Sequence, residues 1–578
     1  MAAVGLAVFG IAALGLGALG LLRGYVFWIL VAACGASTRT GLAAVIHRVS
    51  EVKIPGEGPG VRVAFVCLLV FAAGLSLVAV LAPLTANDAL VYHLNIPKIY
   101  VENGGLVRLP YSVYANMPHY GEMLYTMFFS MAGEAGAKLF YFFTLLAAAG
   151  AVYTLASRFV DRGLALIGAS LFLVQPLLID HRIVCNVDIM LAYFYISAAT
   201  LLIDASGRRT GGRYILSVAL IAGFMLGVKY TAILPAATLF AIPVLAGARN
   251  WKLALLGIGI ALLVFAPWAV KNEAYVGNPV YPLLDGTFDG KQWDQTQSDR
   301  LIAWQRNMGM GRSAADYLLL PINVNTAGKP GLNYKRFDGT LSPVLLIMLP
   351  FALFRRRRET NALLVMGAAG FAFWALTSQQ LRFLIPSIGL AAVLAAVALG
   401  NLRTWLGRRS FAFILILLAL IQISSLMVPD QYGKPVLSGI LGDRLAAATG
   451  LEPRRDFLQR SIQSYSLFQQ MNANLPPGEP VFLIWENRGY YLDRPYFADS
   501  FYEASTLMTM VAHSAGPEDL KQTITAMGYR YVVVNEMLGE FFSRAYPPRS
   551  VGILKDFVSQ YLKPVASANR LTLYTIED

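Results

Sequence analysis

The chain has 578 residues, of which 56% are hydrophobic and 14% charged, with a formal net charge of +13. Soluble domains carry about 25% charged residues, so this composition excludes an ordinary soluble protein and places most of the chain in lipid. The basic excess sits largely in short links between apolar runs, where it sets topology, and this argues against nucleic acid as a partner.

The three cysteines, Cys34, Cys67 and Cys185, lie in or beside apolar segments with no CxxC or Cys/His spacing. They indicate neither a disulfide framework nor a zinc site. The N-terminal stretch MAAVGLAVFGIAALGLGALGLL has no basic residue before it and reads as a retained helix, not a cleaved signal.

Apolar runs that fit or nearly fit a membrane span follow at 2–22, 25–46, 62–84, 137–157, 163–180, 187–204, 214–229, 231–248, 252–270, 341–354, 361–378, 383–400 and 410–428. The second is interrupted by Gly35, Ser37, Thr38, Arg39 and Thr40. The expectation is a polytopic α-helical membrane protein of about 11–13 spans, followed by a soluble α/β domain. Its parts are extra hydrophobic helices at 1–60, a transmembrane domain at 61–428 with outer loops 85–136 and 271–340, and an outer domain at 429–578.

Basic links at 158–162, 205–213, 247–252, 355–358 and 401–409 all fall on one side of this arrangement, which the positive-inside rule makes cytoplasmic. The opposite side receives the two large loops, the links around Arg182, Lys229 and Arg382, and the C-terminal domain. In a bacterial inner membrane that side is the periplasm or exterior. Loop 271–340 is too long for a simple connection, and surface helices are expected at 292–309 and 313–319. In the C-terminal domain, strands are expected at 480–486, 529–536 and 570–576, with a helix at 517–527.

Several titratable residues share the outer face. Asp88 follows the third run, and Asp188 heads the sixth. Either could be a helix-end acid favoured by the dipole, but acids at span edges usually pair or act. Lys229, in GVKYT, and Arg382, in QQLRFLIP, are cations that topology does not require. Lysine offers a phosphate a point charge, and arginine a planar fork. Arg182, Lys271 and Arg336 are weaker candidates of the same kind. Tyr92, His93, Glu122 and Tyr230 lie on the same face and either line a pocket there or hold the loop. Together they fit a site for a phosphate-bearing lipid, with cations at headgroup depth and a base beside them.

Asn87-Asp88-Ala89-Leu90-Val91-Tyr92-His93 resembles the acidic first-loop motif of GT-C-fold glycosyltransferases. Within that class the resemblance is to glycosyltransferase family 39, the protein O-mannosyltransferase and lipid A aminoarabinose transferase group. Asn186-Val187-Asp188, Gly227-Val228-Lys229-Tyr230, Pro267-Trp268 with Gly277-Asn278-Pro279-Val280-Tyr281-Pro282, and Leu381-Arg382-Phe383-Leu384-Ile385-Pro386 are similar to further motifs of that group. The resemblance spans roughly 62–430 and implies inverting transfer of a sugar from a polyprenyl-phosphate donor to a lipid, protein or polysaccharide acceptor outside the cytoplasm. It implies Asp88 as the base, or as the group that orients the acceptor. Lys229 and Arg382 would neutralise the departing phosphate. Many GT-C enzymes carry two adjacent acids in this loop, whereas here Asn87 and Ala89 flank Asp88. One carboxylate makes a metal site less favoured, since hard cations want several oxygen ligands, and no cofactor is expected. Two other readings are a transporter or flippase of a lipid-linked glycan, and a non-enzymatic glycan-binding assembly protein. A transporter should show midplane charges and two related halves, and the sequence displays neither.

Overall fold

The computed structural model describes residues 2–35, 59–109, 111–206, 211–245, 251–288, 293–325, 337–355, 357–429, 433–498 and 506–577. Among them, seven helices are long and apolar enough to cross a membrane: Val63–Leu81, Tyr120–Ala156, Asp188–Ala205, Trp251–Val276, Arg358–Leu376, Leu381–Arg403 and Arg408–Ser425. Shorter apolar helices lie at Ala2–Ala18, Gly24–Gly35, Arg162–Leu173, Tyr214–Val228 and Tyr230–Val244. The remainder of the expected 25–46 run, from 36 onward, lies outside the described residues.

The helices pack through small residues, as expected where lipid supplies no hydrophobic drive. A Cβ on Gly223 would stand 2.4 Å from the Ala261 carbonyl oxygen, and one on Gly168 3.0 Å from that of Ala392. These contacts seat helix Gly211–Val228 against Trp251–Val276, and Arg162–Leu173 against Ile385–Arg403.

Two expectations are corrected. Helix begins at Tyr120, inside the expected loop 85–136. This helix is interrupted at Ala132 and Gly133, where Gly133 adopts φ +60°. Its first part carries Glu122, Thr126 and Ser130, and these polar residues masked it as an apolar run. The run 163–180 likewise breaks after Leu173, with a separate turn at Pro176–Ile179. In loop 271–340 the two surface helices occur at Gln295–Asn307 and Ala314–Asn323, each opened by a reciprocal capping box, Asp294 with Gln297 and Ser313 with Asp316.

The C-terminal domain holds a five-stranded sheet: β1 (Val481–Ile484), β2 (Tyr496–Ala498), β3 (Tyr531–Asn535), β4 (Leu562–Ala568) and β5 (Leu571–Ile576). The spatial order is β2-β1-β3-β5-β4, parallel across β2-β1-β3 and antiparallel beyond. β2 and β4 were not expected. β2 has three residues, and β4 carries Pro564 on an exposed edge, where proline is tolerated.

This domain docks on the segments that flank Asp88 and on helix Tyr120–Ala156. Lys98 Nζ donates to Asp493 Oδ1 at 2.7 Å and to the Tyr490 carbonyl at 2.9 Å. The Tyr491 hydroxyl donates to the Leu84 carbonyl at 2.8 Å, and Arg454 reaches Glu134 at 2.8 Å.

Candidate active site

Four chain breaks at one end of the bundle bring the polar residues together. Asp88 immediately precedes a π-helical turn, Ala89–His93, a wide turn of the kind often found at functional sites. That turn aims the Tyr92 hydroxyl back at Asp88 Oδ2, 3.2 Å away. Asp188 is the first residue of helix Asp188–Ser206. Lys229 is extended, with φ −165° and ψ 140°, between two helices. Arg382 lies in the 3-10 turn Leu381–Leu384 that opens helix Ile385–Arg403.

The charges are interlocked. An Arg382 Nη1 hydrogen bond reaches Asp88 Oδ2, and Arg382 Nε lies 3.7 Å from Asp188 Oδ2. Lys229 Nζ donates to Asp188 Oδ1 at 2.8 Å and sits 3.8 Å over the Phe383 ring. The cations that sequence reading left free for phosphate are therefore paired with the two acids.

Burial alone would raise the Asp88 carboxyl, but the adjacent Arg382 guanidinium, with hydrogen bonds from Arg382 and Asn87, holds it at about 2. Burial, and then the Asp88 charge, push the Tyr92 phenol well above its ordinary value, so it stays a neutral donor. Burial pulls the Lys229 ammonium down, and Asp188 opposes that pull. His93 falls well below its usual value through burial, with Lys229 and Arg382 acting in the same direction. His93 Nδ1 and Glu122 Oε1 are 2.6 Å apart.

A cleft enclosing about 930 Å³ opens beside this network. Tyr92, His93, His119, Glu122, Lys229, Tyr230 and Arg382 line it, together with Trp304 and Gln305 of helix Gln295–Asn307. Among the described residues, His93 Nε2, His119 Nδ1 and Glu122 Oε2, all on residues that line the cleft, are buried without a hydrogen-bond partner. Each such group costs about 1–3 kcal/mol when left unsatisfied, and their concentration around one cavity points to a polar ligand.

The remaining candidates lie elsewhere. Lys271 Nζ donates to the Ala115 carbonyl and Asn116 Oδ1, both at 2.8 Å, and to Asn272 Oδ1 at 3.3 Å, and it does not line the cleft. Arg182 Nε contacts both Asp180 carboxylate oxygens at 2.9 Å. Arg336 is outside the described residues. Sequence reading missed His119, Tyr114, Gln380 and Asp338. Tyr114 stacks on Tyr92 with ring centroids 4.3 Å apart. Gln380 Oε1 accepts from Arg382 Nη2 at 3.2 Å. Asp338 accepts from the Leu381 backbone N–H, next to Arg382. The cluster of Tyr, Asn, Pro and His between 111 and 120 was the available signal for the first two.

A protein family described as a domain of unknown function, DUF8201, matches residues 119–389. Among curated proteins none matches the sequence. ArnT from Cupriavidus metallidurans, bound to undecaprenyl phosphate, is similar in structure: TM-score 0.54, 14% identity, 88% of this chain and 97% of that one covered. The archaeal oligosaccharyltransferase AglB from Archaeoglobus fulgidus, in complex with an inhibitory peptide and a dolichol-phosphate, is similar with TM-score 0.51 at 15% identity, covering 89% of this chain and 74% of that one. With its apolar helices and small C-terminal sheet domain, this chain is an integral membrane protein of the GT-C fold.

Proposed function

We propose that the chain is a glycosyltransferase that moves a sugar from a polyprenyl-phosphate donor to an acceptor at the membrane face bearing the cleft, inverting the anomeric carbon without a metal ion. The arrangement of Arg382, bonded to Asp88 and facing Asp188 while Lys229 covers the other side of Asp188, carries this reading. Two acids and two cations sum to zero charge. An entering donor phosphate gives Arg382 and Lys229 a new anionic partner. Asp88, released from Arg382, returns toward the ordinary carboxylate value of about 3.9 and becomes a stronger base, still ionised at neutral pH. The acceptor hydroxyl oxygen then bonds to the anomeric carbon as the bond from that carbon to the phosphate oxygen breaks. The electron pair goes to the phosphate, and the hydroxyl proton goes to Asp88. Lys229 and Arg382 stabilise the developing charge. Tyr92 orients Asp88, and His93, His119 and Glu122 offer their unpartnered atoms to sugar hydroxyls.

An apolar groove of about 1000 Å³, walled by Leu345, Leu349, Phe371, Leu384 and Ile388, starts two residues after Arg382 and fits an isoprenoid chain. The lipid phosphates bound by ArnT and AglB support that donor class. The basic links of the opposite face support an orientation of the cleft toward the periplasm or exterior.

The test is Asp88→Asn in membranes supplied with polyprenyl-phosphate sugars. Transfer should fall by about 10²-fold or more while donor lipid still binds. Full transfer in the variant would remove Asp88 as the base. Movement of a lipid-linked glycan across the bilayer by the wild type, with no transfer, would favour the transporter reading.

A further inference from the structure

We propose that the membrane face opposite the cleft carries a site for the phosphate headgroup of an anionic phospholipid, built by Arg355, Arg357 and Arg403 beside the aromatic pair Phe354 and Trp405. Helix Ile385–Arg403 connects the two faces, with Arg382 just before its start and Arg403 in its last turn. At 1.5 Å per residue the two arginines stand about 30 Å apart, the thickness of a hydrocarbon core. The second face is therefore at the headgroup depth of the other leaflet.

A cavity of about 1030 Å³ lies there, with Arg355, Arg357 and Arg403 on its wall and Val160, Leu164 and Val397 forming its apolar side. Among the described residues that line it, the one carboxylate, Asp161, is already engaged. Asp161 Oδ1 accepts from the Gly163 and Leu164 backbone N–H groups, and Oδ2 lies 2.6 Å from Arg403 Nη2. Among the described residues no carboxylate pairs with Arg355 or Arg357, so the cavity holds two uncompensated positive charges.

The positive-inside rule accounts for arginines on this face, but not for a cavity hollowed among span ends, nor for the aromatic pair. Phe354 is 52% exposed and Trp405 56% exposed, with ring centroids 4.6 Å apart. Exposed tryptophan beside arginine marks the water–lipid boundary, and basic pockets between spans at that depth suit lipid headgroups. These features select a lipid over a soluble anion.

The test uses the full chain, delipidated in neutral detergent and examined by native mass spectrometry with phosphatidylglycerol or phosphatidylcholine. Wild type should retain phosphatidylglycerol about thirtyfold better, the scale set by two arginines near an anionic headgroup. Arg355→Gln with Arg357→Gln should abolish that preference with no change in melting temperature. Equal retention of the two lipids by wild type, a comparison that needs no variant, would overturn the proposal, as would a preference that survives in the double variant. Displacement of the lipid by millimolar inorganic phosphate would reassign the cavity to soluble anions and overturn the lipid assignment. Sugar transfer is not the readout, so this outcome is independent of the cleft's function.

Discussion

The Lys229 ammonium lies 2.8 Å from the Asp188 carboxylate although 41 positions separate them in the chain. Asp188 is 2% exposed, and its other cation, Arg382, is 3.7 Å away. Removing one member of a buried pair strands the other charge, at a cost of about 3–5 kcal/mol. Lys229 is partly exposed, so Lys229→Met should fall near the lower end, about 3 kcal/mol. Adding Asp188→Asn to Lys229→Met should recover part of the loss. Chemical unfolding of the detergent-solubilised protein measures this, and a double variant as unstable as the sum of the singles would show that the two residues do not couple.

Lys271 separates position in sequence from role in structure. Its ammonium is enclosed by three oxygens, from Ala115, Asn116 and Asn272. Lys271→Met leaves those acceptors unpaired and should destabilise by about 1–3 kcal/mol. Because Lys271 does not reach the cleft, the donor KM should change less than about threefold, whereas Lys229→Met should raise it about tenfold or more through loss of a charged hydrogen bond. A large KM effect at Lys271 with unchanged stability would place its ammonium on the donor phosphate.

The two cleft histidines give stability a predictable dependence on pH. Burial, reinforced by the Lys271 charge, lowers His119 to about 3, and His93 also lies well below its usual value. Unfolded, both take a proton near pH ~6.5. Below that pH the unfolded state binds more protons. The histidine contribution to stability is therefore complete above about pH 6.5 and falls by about 1.4 kcal/mol per pH unit for each histidine as acid is added. Asp88 acts in a different window. Its depressed carboxyl contributes stability above its unfolded value of about 3.9 and loses it only as pH falls toward about 2, so it contributes no slope between pH 5 and 8. Between pH 7 and pH 5 the histidines act to lower the melting temperature, and His119→Gln should lose less stability over that range than wild type. An unchanged slope would mean that His119 is already protonated in the folded protein.

The sequence made the meeting of Asp88, Asp188, Lys229 and Arg382 legible because lipid imposes a coarse rule. Alternating spans assign every link to one of two faces, and cations that orientation does not need become visible against that count. What pairs with what was not legible. Lys271 finds Asn116 across 155 positions, and Arg382 finds Asp88 across 294, and no local pattern encodes either contact. The helix beginning at Tyr120 was hidden because it faces protein instead of lipid. Tyr120, Glu122 and Thr126 are all buried, so its hydropathy resembles that of a loop. His119 was hidden for the same reason, as one polar residue among many.

Gly227 links packing to the site. A Cβ there would lie 2.1 Å from Tyr120 Cδ2. The ring has little room to yield. Its hydroxyl donates to the Val264 carbonyl at 2.7 Å, and it stacks on Phe224 with Trp268 set edge-on. In Gly227→Ala the helix end must therefore shift, and Lys229 begins two residues later. Overpacking of this kind costs about 1–3 kcal/mol. A displacement near 1 Å at a positioning group lowers a rate by about 10²-fold, so sugar transfer should fall at least tenfold with the melting temperature. Gly259→Ala is the matched control, because a Cβ there meets nothing within 4 Å, and both readings should stay at wild-type values. Equal behaviour of the two variants would show that the Tyr120 ring gives way and that Lys229 does not depend on this contact.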